Sequence, residues 1–441
     1  MNKPLFFLFL FVPLACFAQK TMNLDACMRY AVENSYKTAR AATELENAKK
    51  DYTGAVLAHL PSVNGSFGVS SNFGRALDPE TNTYLKDVNI STFCNSVGLN
   101  AGMPVFNGLR YLNQTRSAKI ATMRGEEQLR QTRDKVAEET MLAYAEVVYY
   151  TELLALNQKQ IDNYKLEERK MARLLELGGG STADLAQIRA TLASEEYAAI
   201  ATKNSLELSV VKLKDCMNFP LDEPLSVVSQ IDETELAFKE QTIADIVAFA
   251  LNLHPTAIME QQNLEMQKRS LSIARGAYYP SVSLNGGIST SYFTSTANKY
   301  EPYFKQFNNN LGEWVQLYVS VPIFNGLDAR LRVSKAKNNL KQSQRDYDET
   351  LRTLSSEIRQ AMLELEAAHS QWLQAQKNVE YQQIANQANQ RKYEEGALSI
   401  IELQTSNNQL FQSEIELRNA YLRYQIKVRE MNYYKGTPYV H

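Results

Sequence analysis

One hexapeptide that occurs twice decides the fold: Pro104-Val105-Phe106-Asn107-Gly108-Leu109 and Pro322-Ile323-Phe324-Asn325-Gly326-Leu327, at an offset of 218 in the numbering. Other anchors keep almost the same interval. Leu60-Pro61-Ser62-Val63 returns as Tyr279-Pro280-Ser281-Val282 at an offset of 219, and Tyr30-Ala31-Val32-Glu33-Asn34 aligns with Phe249-Ala250-Leu251-Asn252-Leu253 at the same offset. Gly178–Leu185 aligns with Gly396–Leu403 at 218, pairing Ser181 with Ser399 and Asp184 with Glu402. Four anchors in one order identify an internal duplication, which organises every later reading. The chain divides into residues 1–18, a first repeat 19–217, a linker 218–241 carrying Pro220 and Pro224, and a second repeat 242–441.

Upstream of each hexapeptide the residues alternate with a period of two. A first helix is expected to run to about Ala58, or Ala277 in the second repeat, where the residue before Pro61 or Pro280 is pushed out of helical geometry. In the strand Ser62–Phe73, Val63, Gly65, Phe67, Val69 and Phe73 share one face, opposite Asn64, Ser66, Ser70 and Asn72. In Ser281–Tyr292, Val282, Leu284, Gly286, Ile288 and Tyr292 oppose Ser281, Ser283, Asn285, Ser289 and Ser291. After a polar loop the returning strands, Asn95–Val105 and Trp314–Ile323, carry Val97, Leu99, Ala101, Met103, Val105 and Val315, Leu317, Val319, Val321, Ile323 in alternation. Each strand has about 10 residues, the length a tilted membrane strand requires. The polar face holds Ser, Asn and Gly without charge, which suits a water-filled lumen opposite lipid. A soluble hairpin with one buried face would alternate in the same way, so the rest of the chain must decide.

Downstream, each half turns helical for about 70 residues, roughly 100 Å at about 1.5 Å per residue. In the second half Leu351, Ile358, Leu365, Trp372 and Val379 recur at every seventh position, with Leu354, Ala361, Ala368 and Ala375 at the other seam position. Large against small at the two seam positions is a coiled-coil pattern. The first half is looser, with Val136, Ala143, Val147, Tyr150, Leu154 and Ile161. These residues hold helices together and carry no chemistry. The long helices end at Gly178-Gly179-Gly180-Ser181 and Gly396-Ala397-Leu398-Ser399, with Gly as the left-handed cap and Ser opening the next helix. The return helices are expected over about Thr182–Met217 and Ser399–Tyr433.

The N-terminus points to export. Lys3 precedes an apolar run, Leu5–Leu14, and then Ala15-Cys16-Phe17-Ala18. About 10 apolar residues are too few for a spanning helix, and the pattern is that of a signal peptide cleaved after Ala18. The competing reading is lipid attachment at Cys16, where Pro13 stands in place of the usual aliphatic residue. No later stretch offers about 18 uninterrupted apolar residues, so a membrane location requires a closed β-barrel. The net charge of −2 provides no basic surface for nucleic acid. Cys27, Cys94 and Cys216 are an odd, widely spaced set that reads as small packed side chains. His59, His254, His369 and His441 are too dispersed for a metal cluster, and Gly178-Gly179-Gly180 lacks the lysine of a phosphate loop. The sequence implies no enzyme, no cofactor and no metal.

Four membrane strands cannot close a barrel, because the smallest have about eight. An open edge is not tolerated in lipid, so at least two copies must join through their strands.

The duplicated strand, Pro-Val-Phe-Asn-Gly junction and long helix, with the duplicated Gly-x-x-Ser tip and the N-terminal leader, resemble the TolC-like outer membrane efflux proteins over essentially the whole mature chain. The resemblance implies an α + β membrane protein with four long antiparallel helices and four strands per chain. It implies a homotrimer whose twelve-stranded barrel sits in the outer membrane and whose helical barrel lies in the periplasm. It also implies a passive exit duct for a tripartite efflux pump or a type I secretion system. The partners would be a periplasmic adaptor and an inner-membrane transporter, proton-driven or ABC. The tip turns Gly178, Ser181, Gly396 and Ser399 would meet the adaptor, and Pro104, Gly108, Pro322 and Gly326 would form the strand–helix junctions. At the gate the resemblance assigns an acidic ring, of which Glu402 keeps the first acid and Thr405 replaces the second. It assigns the lock to Tyr393 against Asp184, with Leu398 where the family has an Arg. Acids at a constriction concentrate cations, whereas an acid in a helix's first turn also simply favours the dipole. The rivals are a periplasmic coiled-coil scaffold, which would lack the alternating strands, and a closed surface receptor, which would carry a plug domain.

Overall fold

The computed structural model describes residues 20–75, 77–78, 81–84, 90–228 and 243–440. The expected leader 1–18 with Cys16, and the linker beyond residue 228, lie outside the described residues. In chain order the elements are β1 (Lys20–Met22), α1 (Leu24–Asn34), α2 (Tyr36–Leu57), β2 (Ser62–Phe73), β3 (Ser91–Asn107), α3 (Arg110–Glu176) and α4 (Thr182–Met217). They continue with β4 (Leu225–Val227), α5 (Ile243–Leu253), α6 (Pro255–Arg275), β5 (Ser281–Ser295), α7 (Tyr303–Asn309), β6 (Gly312–Ser320), α8 (Asp328–Glu394) and α9 (Ile400–Tyr434). Helix pair, strand, strand, long helix and return helix thus occur twice.

The first helix expected in each repeat is two helices. The Ser35 N–H donates to the Ala31 carbonyl at 2.8 Å, and its hydroxyl accepts from the Lys37 N–H at 3.2 Å. One residue therefore ends α1 and opens α2. In the second repeat Pro255 begins α6, because a proline at the first helical position loses no intrahelical bond.

The chain gathers into two compact units, and each repeat contributes to both. The first draws on Ala42–Gln128 and Pro255–Arg352. It holds an antiparallel sheet in the order β2-β3-β5-β6. Gly65 lies opposite Leu99, Leu99 opposite Ile288, and Leu284 opposite Leu317, so the apolar residues of all four strands share one face. Asn64, Asn100, Gly287 and Trp314 lie in the same row on the other face. Among the described residues the outer strands β2 and β6 pair along one edge only, and every residue of both is exposed.

The two Pro-containing strand ends differ. β3 runs through Pro104 to Asn107, with a register irregularity between Pro104 and Phe106, and Asn107 pairs with Ser281. β6, expected to reach Ile323, stops at Ser320, which also pairs with Ser281. β5 begins at Ser281, so β6 has nothing beyond to pair with, and Pro322 has no N–H to donate. β3 also begins earlier than its expected Asn95, at Ser91. The second polar loop contains α7, which the sequence pattern did not reveal. β6 leaves β5 unpaired above Ser289, and polar side chains complete that edge. The Gln306 amide accepts from the Phe293 N–H at 3.0 Å and donates to the Phe293 carbonyl at 2.9 Å, while the Asn310 amide donates to the Ser291 carbonyl at 2.7 Å.

The second unit draws on Met1–Ala41, Leu129–His254 and Thr353–His441. Its core joins Cys27, Met28 and Ala31 of α1, Val136, Met141, Tyr144, Val147 and Val148 of α3, Leu213 and Met217 of α4, and Leu422 of α9. Full burial of each large aliphatic contributes about 1.5–3 kcal/mol. Burial pushes the Cys27 thiol up to about 12, which leaves it an inert packed side chain. Along α8 the seam residues Leu354, Ile358, Ala361, Leu365, Ala368 and Val379 are buried as the heptad requires, and Trp372 stacks on Tyr424 with ring centroids 5.2 Å apart. The described start of the linker is tied down: β4 pairs in parallel with β1, and the buried Lys214 ammonium donates to the carbonyls of Leu221 and Glu223 at 2.9 and 2.6 Å.

Candidate functional site

Two helix-to-helix turns form the tips. Gly178 and Gly396 take φ values of 80° and 76°, a left-handed conformation that costs a residue without Cβ little. The bonds around them match: Gly178 N–H to Leu175 and Gly179 N–H to Leu174 in one tip, Gly396 N–H to Tyr393 and Ala397 N–H to Lys392 in the other. These paired bonds satisfy the last carbonyls of α3 and α8. Ser181 then caps α4, accepting from the Asp184 N–H at 3.4 Å. Ser399 caps α9 more completely. Its hydroxyl accepts from the Glu402 N–H at 3.3 Å, and the Glu402 carboxylate accepts from the Ser399 N–H at 3.0 Å. The Ser399 N–H foremost, and then the Ser399 hydroxyl, which donates to the same carboxylate at 2.8 Å, hold the exposed Glu402 carboxyl below the usual range.

An apolar cluster joins the tips: Met171, Leu185, Ile188, Ile400 and Leu403, with Leu175, Tyr393 and Leu398 packed against it. Leu398, standing where the resemblance implies an Arg, is therefore part of a packed seat. Burial foremost, and then the charges of Glu167 and Asp184, push the Tyr393 hydroxyl up. No hydrogen bond joins Tyr393 to Asp184 within the chain, among the described residues. Thr405, standing where the second acid is implied, turns its hydroxyl back to the Ile401 carbonyl at 2.8 Å. Of the five expected gate residues, the fold packs Tyr393 and Leu398 into one cluster, brings Asp184 within electrostatic range of Tyr393, and leaves Glu402 and Thr405 on the exposed start of α9.

The sequence reading missed a polar layer above this seat. The Asn386 amide donates to Asn407 at 2.7 Å and to Ser406 at 3.3 Å, and the Asn389 amide donates to Ser406 at 3.1 Å. The Asn407 amide reaches one Glu167 oxygen at 3.4 Å, while the other Glu167 oxygen is buried without a partner. Burial pushes the Glu167 carboxyl up. The signal was available: continuing the sevenfold series past Val379 lands on Asn386 and Tyr393, and the companion series past Ala375 lands on Gln382 and Asn389. A polar residue at a seam position trades stability for specific pairing.

The strand–helix junctions are the other expected site. Each turns on two consecutive left-handed residues: Gly108 and Leu109 at 65° and 62°, Gly326 and Leu327 at 63° and 67°. A leucine in this region costs about 1–2 kcal/mol, so the surroundings must hold it there. Sequence reading identified the glycines and missed the leucines. A Cβ on Gly108 would lie 2.4 Å from the Gly276 carbonyl oxygen, whereas one on Gly326 would meet nothing within 4 Å. Among the described residues no cluster of His, Cys, Asp and Glu could hold a metal ion, and no helix is long and apolar enough to cross a membrane.

Residues 28–218 and 250–436 match the family model described as outer membrane efflux protein. The outer membrane efflux protein BepC of Brucella suis biovar 1 (strain 1330) is 20% identical over 370 residues, covering 82% of this chain and 74% of that protein. A crystal structure of CusC superposes with a TM-score of 0.80 at 18% identity, covering 93% of this chain and 91% of the other. The outer membrane channel CmeC of Campylobacter jejuni superposes at 0.79 with 20% identity, covering 92% and 84%.

Proposed function

The chain belongs to the outer membrane efflux protein family, and on that premise we propose that three copies assemble into a twelve-stranded barrel continuous with a tunnel of twelve long helices. It is an outer-membrane protein that serves as a passive exit duct for efflux. A periplasmic adaptor would grip the tip turns at Gly178, Ser181, Gly396 and Ser399, and an inner-membrane transporter would deliver the substrate. The observation that carries this reading is the sheet. It has one largely apolar face, with Glu313 opposite Ile288 at its end, one uncharged polar face and two outer strands, β2 and β6, that among the described residues each use one edge only. Such edges persist in lipid only when other strands pair with them.

The gate follows from the tips. Glu402 presents an exposed carboxylate, held ionised by Ser399, that raises the local concentration of cations. Tyr393 and Leu398 seat one tip against the apolar cluster that the other tip shares, so opening means lifting them from it. Thr405 contributes no charge. This gate rests on packing, on the acid Glu402 at its entrance and on Asp184 beside Tyr393.

The purified oligomer in a planar lipid bilayer is expected to pass ion current in steps. Glu402→Gln should reduce cation selectivity while leaving the unit step in place. Silence at every voltage and pH would overturn the duct.

A further inference from the structure

We infer that α7 belongs to the membrane wall and lies in the outer leaflet, with Phe304 among the lipid acyl chains; this rests on the outer-membrane barrel proposed above. Contacts fix the side of the sheet on which α7 sits. The Tyr303 hydroxyl donates to the Asn95 side chain at 3.1 Å, the Thr290 hydroxyl donates to the Phe307 carbonyl, and the Tyr292 and Tyr303 rings lie 4.8 Å apart. Asn95 lies opposite Tyr292, Val97 opposite Thr290 and Leu99 opposite Ile288, each pair two positions from the last. Asn95, Thr290 and Tyr292 therefore belong to the apolar face, the one that meets lipid. Helix α7 covers the outer end of that face, on the side away from the lumen.

Height decides whether this end is inside the membrane. The apolar band of a barrel is about 25 Å tall, and strands tilted by about 40° with a rise of about 3.3 Å climb roughly 2.5 Å per residue, so the band takes about 10 residues. Counted from Val282, the first apolar residue of β5, it ends near Tyr292. There Phe93 and Tyr292 pack with ring centroids 6.3 Å apart, as aromatic girdle residues do at a membrane interface. Two features at this height are costly in hydrocarbon. Asn95 and Thr290 are polar groups on the lipid face, and β6 begins opposite Ser289, which leaves β5 with an unpaired edge beyond it. Helix α7 removes both. Beneath it Asn95 and Thr290 are 5% and 8% exposed, against 46% for Ile288 just below. Gln306 and Asn310 bond the open edge at Phe293 and Ser291. In water neither device would be needed, because water satisfies the same groups.

The outward surface of α7 suits lipid. Tyr303 and Phe307, four apart, face the sheet, and Gln306 and Asn310, four apart, face the β5 edge. Phe304, 83% exposed, and Leu311 just after the helix, 56% exposed, are left on the outside. The helix descends beside β5, from Gln306 at Phe293 to Asn310 at Ser291, so its first turn is the outer one. Lys305 in that turn pairs with Glu301 at 2.7 Å, which puts the charges at the level of the lipid headgroups. Glu313, opposite Ile288, is the one charged residue on this face among the described strands. A carboxylate on the lipid face costs less than a Lys or Arg, and the cost falls toward the interface.

The test is tryptophan fluorescence of the assembled full chain in phosphatidylcholine vesicles, with and without bromine on the acyl chains. The two native tryptophans are replaced, Trp314→Phe and Trp372→Phe. Phe304→Trp should then be quenched by brominated lipid about as strongly as Leu317→Trp, lower on the same face. If Leu317→Trp is quenched and Phe304→Trp is not, the barrel stands and the placement of α7 is overturned. If neither is quenched in an oligomer that migrates intact on a native gel, the face does not meet lipid and the barrel reading falls as well. A second measurement keeps both tryptophans and uses intact cells. In the chain carrying Cys94→Ser and Cys216→Ser and retaining the buried Cys27, Lys299→Cys should react with a membrane-impermeant maleimide. Phe304→Cys should react at least several-fold more slowly, although a single copy leaves this position more exposed than most. Equal rates would overturn the placement.

Discussion

The same junction is built twice in this chain and sits in two different surroundings. Around Gly108 the turn presses against Gly276, close enough that a single added carbon would strike the backbone. Around Gly326 an identical pair of left-handed residues faces open space. The strands leading in differ accordingly: β3, with a neighbour on each side, continues to Asn107, and β6, with one neighbour, stops at Ser320. A duplicated sequence therefore gives one contact satisfied within the chain and one of the same design left on its surface.

The largest effect that can break this comparison is a methyl group at each glycine. Gly108→Ala should destabilise the chain by about 2–4 kcal/mol, combining a left-handed alanine with an overpacked contact. Gly326→Ala should cost only about 1–2 kcal/mol in chains dissociated in detergent, from the backbone conformation alone. Denaturant unfolding followed by helical circular dichroism measures both. Equal costs in dissociated chains would remove the distinction. A Gly326→Ala cost that rises on assembly toward that of Gly108→Ala would sharpen it, because the partner would then supply what Gly276 supplies inside the chain.

The two tips offer a smaller contrast of the same kind. Ser399 shares a reciprocal cap with Glu402, whereas Ser181 accepts one long bond. Ser399→Ala should cost about 1 kcal/mol and Ser181→Ala nearer to about 0.5 kcal/mol. Amide hydrogen exchange at the first turns of α9 and α4 would show which helix start frays. Greater fraying at α4 in Ser181→Ala would contradict the ranking.

What the sequence made legible follows from what is local. The strand faces, the long helices, the tip glycines with their serine caps and the repeat itself rest on periodicity and turn chemistry, which a few neighbouring residues settle. The break at Ser35 was missed because a serine inside a helical pattern gives no warning that its side chain will cap the next helix. The end of β6 depended on where β5 begins, a fact of pairing and not of β6's own residues. Helix α7 is short, and what it contributes is the completion of a strand edge by Gln306, which no periodicity encodes. At the tips the heptad series did reach Asn386 and Tyr393, but the burial of Glu167 needed the fold, since Glu167 lies on α3 and its partner Asn407 on α9.

Glu167 gives the smallest effect and the cleanest difference between repeats, because its image in the second repeat is Ala385. Burial raises its carboxyl, so the folded state holds a proton that the unfolded chain has released between the ordinary carboxylate range and the raised value. Stability therefore falls as pH rises through that window, and acidification toward the ordinary range tightens the tip. Glu402 works in the opposite sense and in another window. Its lowered carboxyl contributes stability present above the ordinary range and lost as pH falls through the lowered value. The two windows lie on either side of the ordinary carboxylate value, so they can be separated. Hydrogen exchange of the tip amides, followed downward from neutral pH, should first slow beyond the intrinsic pH dependence of exchange and then, below the ordinary range, quicken relative to it. Glu167→Gln should abolish the first change and keep the second, and Ser399→Ala should weaken only the second. If Glu167→Gln leaves the first change intact, a different group governs the tip and the polar layer is structural only.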